Sequence, residues 1–160
     1  YDTCSGPDEM AQRLNAVMHR STGAGHFVTM FFGDLELATG RLTYVNAGHN
    51  APLLVDGSEI RELAAQGVPV AVLPDFPYAS DTVEIGPGGL LALYTDGIPE
   101  AQRGKEFFGD ERLVAAIREL AALPALEDVA DGVVKKVEAF VGDAPRSDDV
   151  TLLLLRRAAV

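Results

Sequence analysis

Tryptophan is missing from the 160 residues, cysteine occurs once, and bases are scarce: 13 Lys and Arg stand against 24 Asp and Glu, for a formal net charge of -11. The lone Cys4 excludes an internal disulfide framework and a thiolate zinc site, and it fits a reducing compartment. The shortage of positive charge argues against nucleic acid and anionic membrane as partners, because both reward clustered Lys and Arg. Divalent cations stay open as partners. No apolar run approaches the ~20 residues that span a bilayer. The N-terminus has no basic-plus-apolar leader, so the sequence reads as cytoplasmic. Several chemistries are absent too. There is no G-x-x-x-x-G-K phosphate loop, no G-x-S-x-G elbow and no EF-hand loop. A cysteine phosphatase needs Arg six residues after its nucleophile, where Met10 stands. An aspartyl-nucleophile phosphatase of the haloacid dehalogenase type needs an acid where Tyr94 stands. His19, His26 and His49 are too far apart for a zinc-binding helix.

What remains is enough apolar residue, 48% of the chain, for one domain with a substantial core. From Pro7, the residues Met10, Leu14, Val17 and Met18 recur at helical spacing, with Asp8 and Glu9 suited to a first turn. "HFVTMFFGDLELATGRLTYVNAGHNAPLLV" gives three β-rich runs, broken at Thr39-Gly40 and around Asn46-Ala47-Gly48, which read as antiparallel strands. Asp56-Gly57 marks a hairpin turn, and "QGVPVAVLPDFP" is an irregular connection. "SDTVEIGPGGLLALYT" reads as a further hairpin closed by Gly86 to Gly89. Helices then return, one capped by Asp110 and carrying Leu113, Ile117 and Leu120. The next carries Val129, Val133, Val137 and Phe140 and ends at Gly142. A loop is expected over 142–148, and "DDVTLLLLRR" closes the chain as an apolar strand over 150–155. Strands, then helices, then one late strand predict an α+β fold with antiparallel sheets.

The charged residues fall at telling places. Asp96 follows the strand at 90–95, while Asp148 and Asp149 precede the strand at 150–155, so antiparallel pairing of the two would put these carboxylates at one sheet edge. Adjacent strands lie ~4.8 Å apart and hard cations bind carboxylate oxygens at roughly 2.0–2.6 Å, which suits a shared ion. Read as local structure alone, Asp96-Gly97 is ordinary turn chemistry and Asp149 a residue at a strand start.

Together and in order, "FVTMFFGDLELATGRLTYVNAGHNAPLL", "LALYTDGIPEA", "FGDERL" and "SDDVTLLLL" resemble the metal-dependent protein phosphatase (PPM) family, in its bacterial branch of stage II sporulation protein E and the sigma-factor regulatory phosphatases. The likeness covers nearly the whole chain. It implies an α-β-β-α sandwich of two antiparallel sheets flanked by helices. It also implies two Mn2+ or Mg2+ ions at one sheet edge and hydrolysis of phosphoserine or phosphothreonine on a protein, with an anti-sigma-factor antagonist as the substrate it points to. Asp96 and Asp148 match family metal ligands. Asp149 stands in the neighbouring, supporting position, and Glu100 matches an acidic ligand that some relatives give a weaker third metal. "NAGHN" at 46–50 matches a motif near the metal centre; His49 reads as a histidine holding a strand end, Thr95 and Thr151 as strand residues bonding neighbouring backbone, and Gly97 as a turn former.

The sequence departs from the family in two places. Ala71 of "GVPVAV" stands where relatives usually have glycine, and the aspartates and D-x-x-G-x-G segment that open the family's domain do not precede Pro7; Asp2 lacks their glycines. The chain thus reads as a single PPM-type domain over 1–160, roughly its C-terminal two thirds. In isolation it would be silent or nearly so. The rivals to a phosphatase are a non-catalytic partner-binding module and a plain acidic cation-binding domain.

Overall fold

A computed structural model describes residues 4–23, 25–144 and 148–159. Asp2 and residues 145–147 of the expected 142–148 loop lie outside the described residues. Along the chain the elements are α1 (Pro7–Ser21), β1 (Met30–Glu36), β2 (Arg41–Ala47), β3 (Leu53–Asp56), β4 (Glu59–Glu62), β5 (Asp81–Glu84), β6 (Leu90–Tyr94), β7 (Gln102–Arg103), β8 (Glu106–Phe107), α2 (Gly109–Leu120), α3 (Leu126–Val141) and β9 (Leu152–Arg156). All strand pairs between these elements are antiparallel, in sheets ordered β1-β2-β5, β4-β3-β6-β9 and β7-β8. The expected α+β class is therefore what the chain forms. It divides into two compact units, Tyr1–Ala51 with Leu63–Ile85, and Pro52–Glu62 with Gly86–Val160.

In the first unit, β1 and β2 form the expected hairpin, closed by the Glu36–Arg41 pair, with Gly40 at φ 76°. β2 also pairs with β5, and α1 packs on β1 and β2. The core joins Ala11, Val45, Ala47, Val70 and Tyr78, with Leu14 and Met18 at its border. α1 differs from expectation in its face: Val17 is exposed, while Ala11 and Asn15 are buried. The helix is phased by what Asn15 bonds. Its side chain satisfies backbone groups of the 71–73 segment, which removes the penalty for burying a polar residue.

In the second unit, β6 is the centre. Its apolar run is buried along most of its length and lies between β3 and β9, with α2 and α3 contributing Leu113, Ile117, Val129, Val133 and Phe140 to the same core. Burying the side chain of a residue such as Leu90 or Ile117 contributes roughly 1.5–3 kcal/mol. Asp56-Gly57 turns β3 into β4 as expected, and α3 ends on Gly142 at φ 66°. Arg156 ties the end of β9 to the loop after α2, donating to the carbonyls of Ala121, Leu123 and Pro124 at 2.7, 2.6 and 3.0 Å.

Three expectations need correction. The segments 81–84 and 90–94 are not a hairpin: β5 pairs with β2, and β6 with β3 and β9. A doubly flanked apolar strand needs apolar neighbours, which Leu53–Val55 and Leu152–Leu155 supply and the mostly exposed β5 does not. The Gly86–Gly89 turn instead stitches to β9's end, where Gly88 N–H donates to Arg157 O and Arg157 N–H to Gly89 O. β3 pairs with β4 and β6, antiparallel as expected. Asp110 is not a cap: Phe108 holds that position in helical conformation without a side-chain bond, and Asp110 sits in the first turn, where the helix dipole favours a carboxylate. The β7-β8 hairpin was not anticipated, and the final strand begins at Leu152.

Candidate functional site

The antiparallel pairing of the two apolar strands, on which the carboxylate edge depends, is present. β6 and β9 run in register from Leu90↔Arg156 to Tyr94↔Leu152. Beyond the strands the register continues through hydrogen bonds. Thr95 N–H donates to Thr151 O at 3.2 Å, Thr151 N–H to the Thr95 hydroxyl at 3.0 Å, and that hydroxyl to Asp149 O at 3.2 Å. Asp96 and the pair Asp148-Asp149 therefore stand at the same end of neighbouring strands. The expected role of Thr95 as a backbone-bonding strand residue is also what the chain shows.

Residues 96–100 make a single turn in which Glu100 N–H donates to Asp96 O at 2.8 Å. Asp148 turns one carboxylate oxygen back onto Asp149 N–H at 2.7 Å. Asp96, Glu100, Asp148 and Asp149 are all exposed to solvent. Gly97 matters more than as a turn former. A Cβ there would stand 2.3 Å from Asp149 O, so two backbones touch at this corner and only glycine fits.

These four residues do not make a complete two-metal centre. Among the described residues no group of three or more His, Cys, Asp or Glu is placed to hold a metal ion. Two divalent ions carry four positive charges and need more anionic oxygens than this edge assembles, so no hydrolytic step can be derived from these residues.

A cavity of about 360 Å³ borders the corner, lined by Gly97, Gln102, Val134, Val137, Val141 and Asp148 among others. Gln102 begins β7, and the β7-β8 hairpin is locked in place. Arg103 and Arg112 lie 4.6 and 4.8 Å from the Phe140 ring centre, both bond Glu106, and Arg112 also donates to the carbonyls of Phe107 and Phe108. Those two arginine bonds pull the Glu106 carboxyl below its usual range. Tyr94, the last residue of β6, has its phenol pushed up to about 12 by burial and by the carboxylates of Asp110 and Glu62.

In the first unit the "NAGHN" motif is tied into the surrounding backbone by hydrogen bonds. Asn46 is fully buried and acts as a hub: its amide donates to Leu63 O at 3.0 Å, its side-chain oxygen accepts from His49 N–H at 2.9 Å, and its backbone exchanges bonds with Gln66. His49 has Nδ1 3.3 Å from the Thr29 hydroxyl, in keeping with the expected strand-end role. Ala71 adopts φ 74°, a left-handed conformation that favours glycine. The buried Asn15 accepts its N–H at 2.8 Å and donates to Leu73 O at 2.9 Å, and His19 Nδ1 lies 2.9 Å from Ala71 O. Sequence reading missed the roles of Asn15 and Asn46. A signal existed for Asn15, which shares the helical phase of the buried Ala11.

The comparisons agree with this architecture. Residues 1–158 match the family model of stage II sporulation protein E (SpoIIE). The phosphoserine phosphatase RsbU of Bacillus subtilis is 25% identical over 156 residues, a match covering 94% of this chain and 45% of RsbU. The SiaA-PP2C domain of Pseudomonas aeruginosa superposes with a TM-score of 0.80 at 24% identity, over 94% of this chain and 61% of that one. The SpoIIE phosphatase domain of Bacillus subtilis, from a crystal presoaked with manganese, gives a TM-score of 0.59 at 17% identity, over 81% of this chain and 56% of that one. The chain thus spans under two thirds of each. Among the described residues no helix is long and apolar enough to cross a membrane.

Proposed function

The chain belongs to the stage II sporulation protein E (SpoIIE) family, a family of phosphatases, and from that premise we propose that it is roughly the C-terminal two thirds of a metal-dependent protein serine/threonine phosphatase domain. Its substrate would be phosphoserine or phosphothreonine on a regulatory protein, an anti-sigma-factor antagonist in the reading the motifs favour. The name of RsbU, a phosphoserine phosphatase, supports the phosphoserine part. The observation that carries the proposal is the β6-β9 register, which sets Asp96 and Asp148 at one end of strands ~4.8 Å apart. In this reading Asp96 and Asp148 are the chain's share of the metal ligands, with Asp149 supporting and Glu100 serving a weaker ion. Manganese or magnesium would acidify a water for attack on phosphorus. The remaining ligands come from outside these residues, so the chain alone turns over little or nothing.

The test is manganese-dependent hydrolysis of p-nitrophenyl phosphate and of a phosphoserine peptide, by this chain and by one extended upstream by roughly 70 residues. Activity is expected only in the longer chain, and the pair Asp96→Asn with Asp148→Asn should abolish it while leaving thermal unfolding intact. Robust turnover by the short chain would overturn the division of ligands, and near-normal turnover by the double variant would overturn the site. A second reading, a partner-binding module without catalysis, draws support from the absence of a three-ligand group among the described residues. It predicts no turnover at either length.

A further inference from the structure

One pair beyond the last rung of the β6-β9 ladder, Thr95 stands opposite Thr151. In an antiparallel hydrogen-bonded pair the two residues exchange both N–H to O=C bonds. Only one is made here in that form, from Thr95 N–H to Thr151 O. The Thr95 carbonyl has left the ladder and accepts instead from Ile98 N–H at 3.1 Å, closing the turn that carries Asp96. That carbonyl is not free to return. Ile98 is fully buried, and the segment beyond it is tied by Ala101 N–H to Ile98 O, Gly109 N–H to Pro99 O and Phe108 N–H to Ala101 O. Thr151 N–H has therefore lost its backbone acceptor, and the Thr95 hydroxyl takes that place at 3.0 Å. A hydroxyl accepts and donates at once. Its own proton goes to Asp149 O at 3.2 Å, the same oxygen that would stand 2.3 Å from a Cβ on Gly97.

We propose that Thr95 is the positioning residue of the carboxylate corner: its hydroxyl, standing in for its own carbonyl, clamps residues 149–151, and with them Asp148, against the turn that carries Asp96. The bare glycine only permits the approach of Asp149 O. The hydroxyl bond enforces it. Valine matches threonine in shape and in preference for strands but neither donates nor accepts, so the mild-looking Thr95→Val is the damaging change and Thr95→Ser the harmless one. The clamp stands on hydrogen bonds within the chain; only its consequence for hydrolysis rests on the phosphatase reading.

The experiment is amide hydrogen exchange, resolved by residue with NMR, on the 160-residue chain as wild type, Thr95→Val, Thr95→Ala and Thr95→Ser. The Thr151 amide should exchange roughly tenfold or more faster in the valine and alanine variants and near the wild-type rate in the serine variant. Leu91, flanked by β3 and β9, should keep its protection in all of them. Unchanged exchange at Thr151 in Thr95→Val, or a serine variant as fast as the valine one, would overturn the proposal. So would an equal loss at Leu91 in both hydroxyl-free variants, which would make the hydroxyl a support of the whole unit and not of its corner. In the chain extended upstream, Thr95→Val should lower kcat for p-nitrophenyl phosphate roughly tenfold or more with KM within about twofold, and Thr95→Ser should keep both. Full turnover by that valine variant would overturn the positioning role. No turnover by the extended wild type would sink the phosphatase reading instead, and exchange at Thr151 would still decide the clamp.

Discussion

Two tight corners, one in each unit, are held by opposite means. At Gly97, backbone lies against backbone, and the contact with Asp149 O excludes any side chain. At Ala71 a side chain is present in a conformation that disfavours it, and the segment is held from outside, by Asn15 and His19 of α1. The first corner is enforced by exclusion and the second by hydrogen bonds that offset strain. Exclusion fails abruptly when an atom is added. A bonded, strained segment should respond in steps, and in one case should improve.

The largest effect is expected at the first corner. Gly97→Ala should cost roughly 3 kcal/mol, because the atom it meets is a backbone oxygen that cannot swing aside; urea unfolding reads this directly, and a loss under 1 kcal/mol would show that the corner is looser than its geometry. Next comes Asn15→Ala, which leaves the buried Ala71 N–H without its partner and removes the donor to Leu73 O. It should cost about 2 kcal/mol by the same measurement. The smallest effect has the opposite sign. Ala71→Gly should stabilise by about 0.5–1 kcal/mol, the relief of left-handed strain exceeding the added freedom of glycine in the unfolded chain. A double-mutant cycle sharpens the comparison: Asn15→Ala and Ala71→Gly should be non-additive, and Gly97→Ala, which shares no partner with either, additive with both.

Legibility in the sequence followed the range of the interaction. β6 and β9 were readable because continuous apolar runs bounded by turn residues mark strands, though only β6 is buried along most of its length, and their pairing was expected from carboxylates at opposite ends. β5 was misplaced because "GPGG" looks locally like a hairpin, while the choice of partner is made by Leu53–Val55 and Leu152–Leu155, distant in the chain. The β7-β8 hairpin was invisible: its strands are too short for periodicity, and it is held by Arg103 and Arg112 on a phenylalanine from α3. The candidate carboxylates stood out as residue types at strand ends. What makes their corner tight, the approach of Gly97 to Asp149, is a three-dimensional contact with no sequence mark beyond the glycine. Ala71 did leave a mark, as alanine where glycine is usual, and its φ of 74° is the physical content of that departure.

The place of β6 between β3 and β9 has a consequence for synthesis. One neighbour of this strand is already made when β6 leaves the ribosome, but the other follows two whole helices. Until Leu152–Leu155 emerge, the most apolar strand of the second unit has an open flank, and α2 and α3 lack the Arg156 tie. The nascent chain must wait in that state, exposed to mispairing and a natural client for chaperones, and the unit can close only when nearly its last residues arrive.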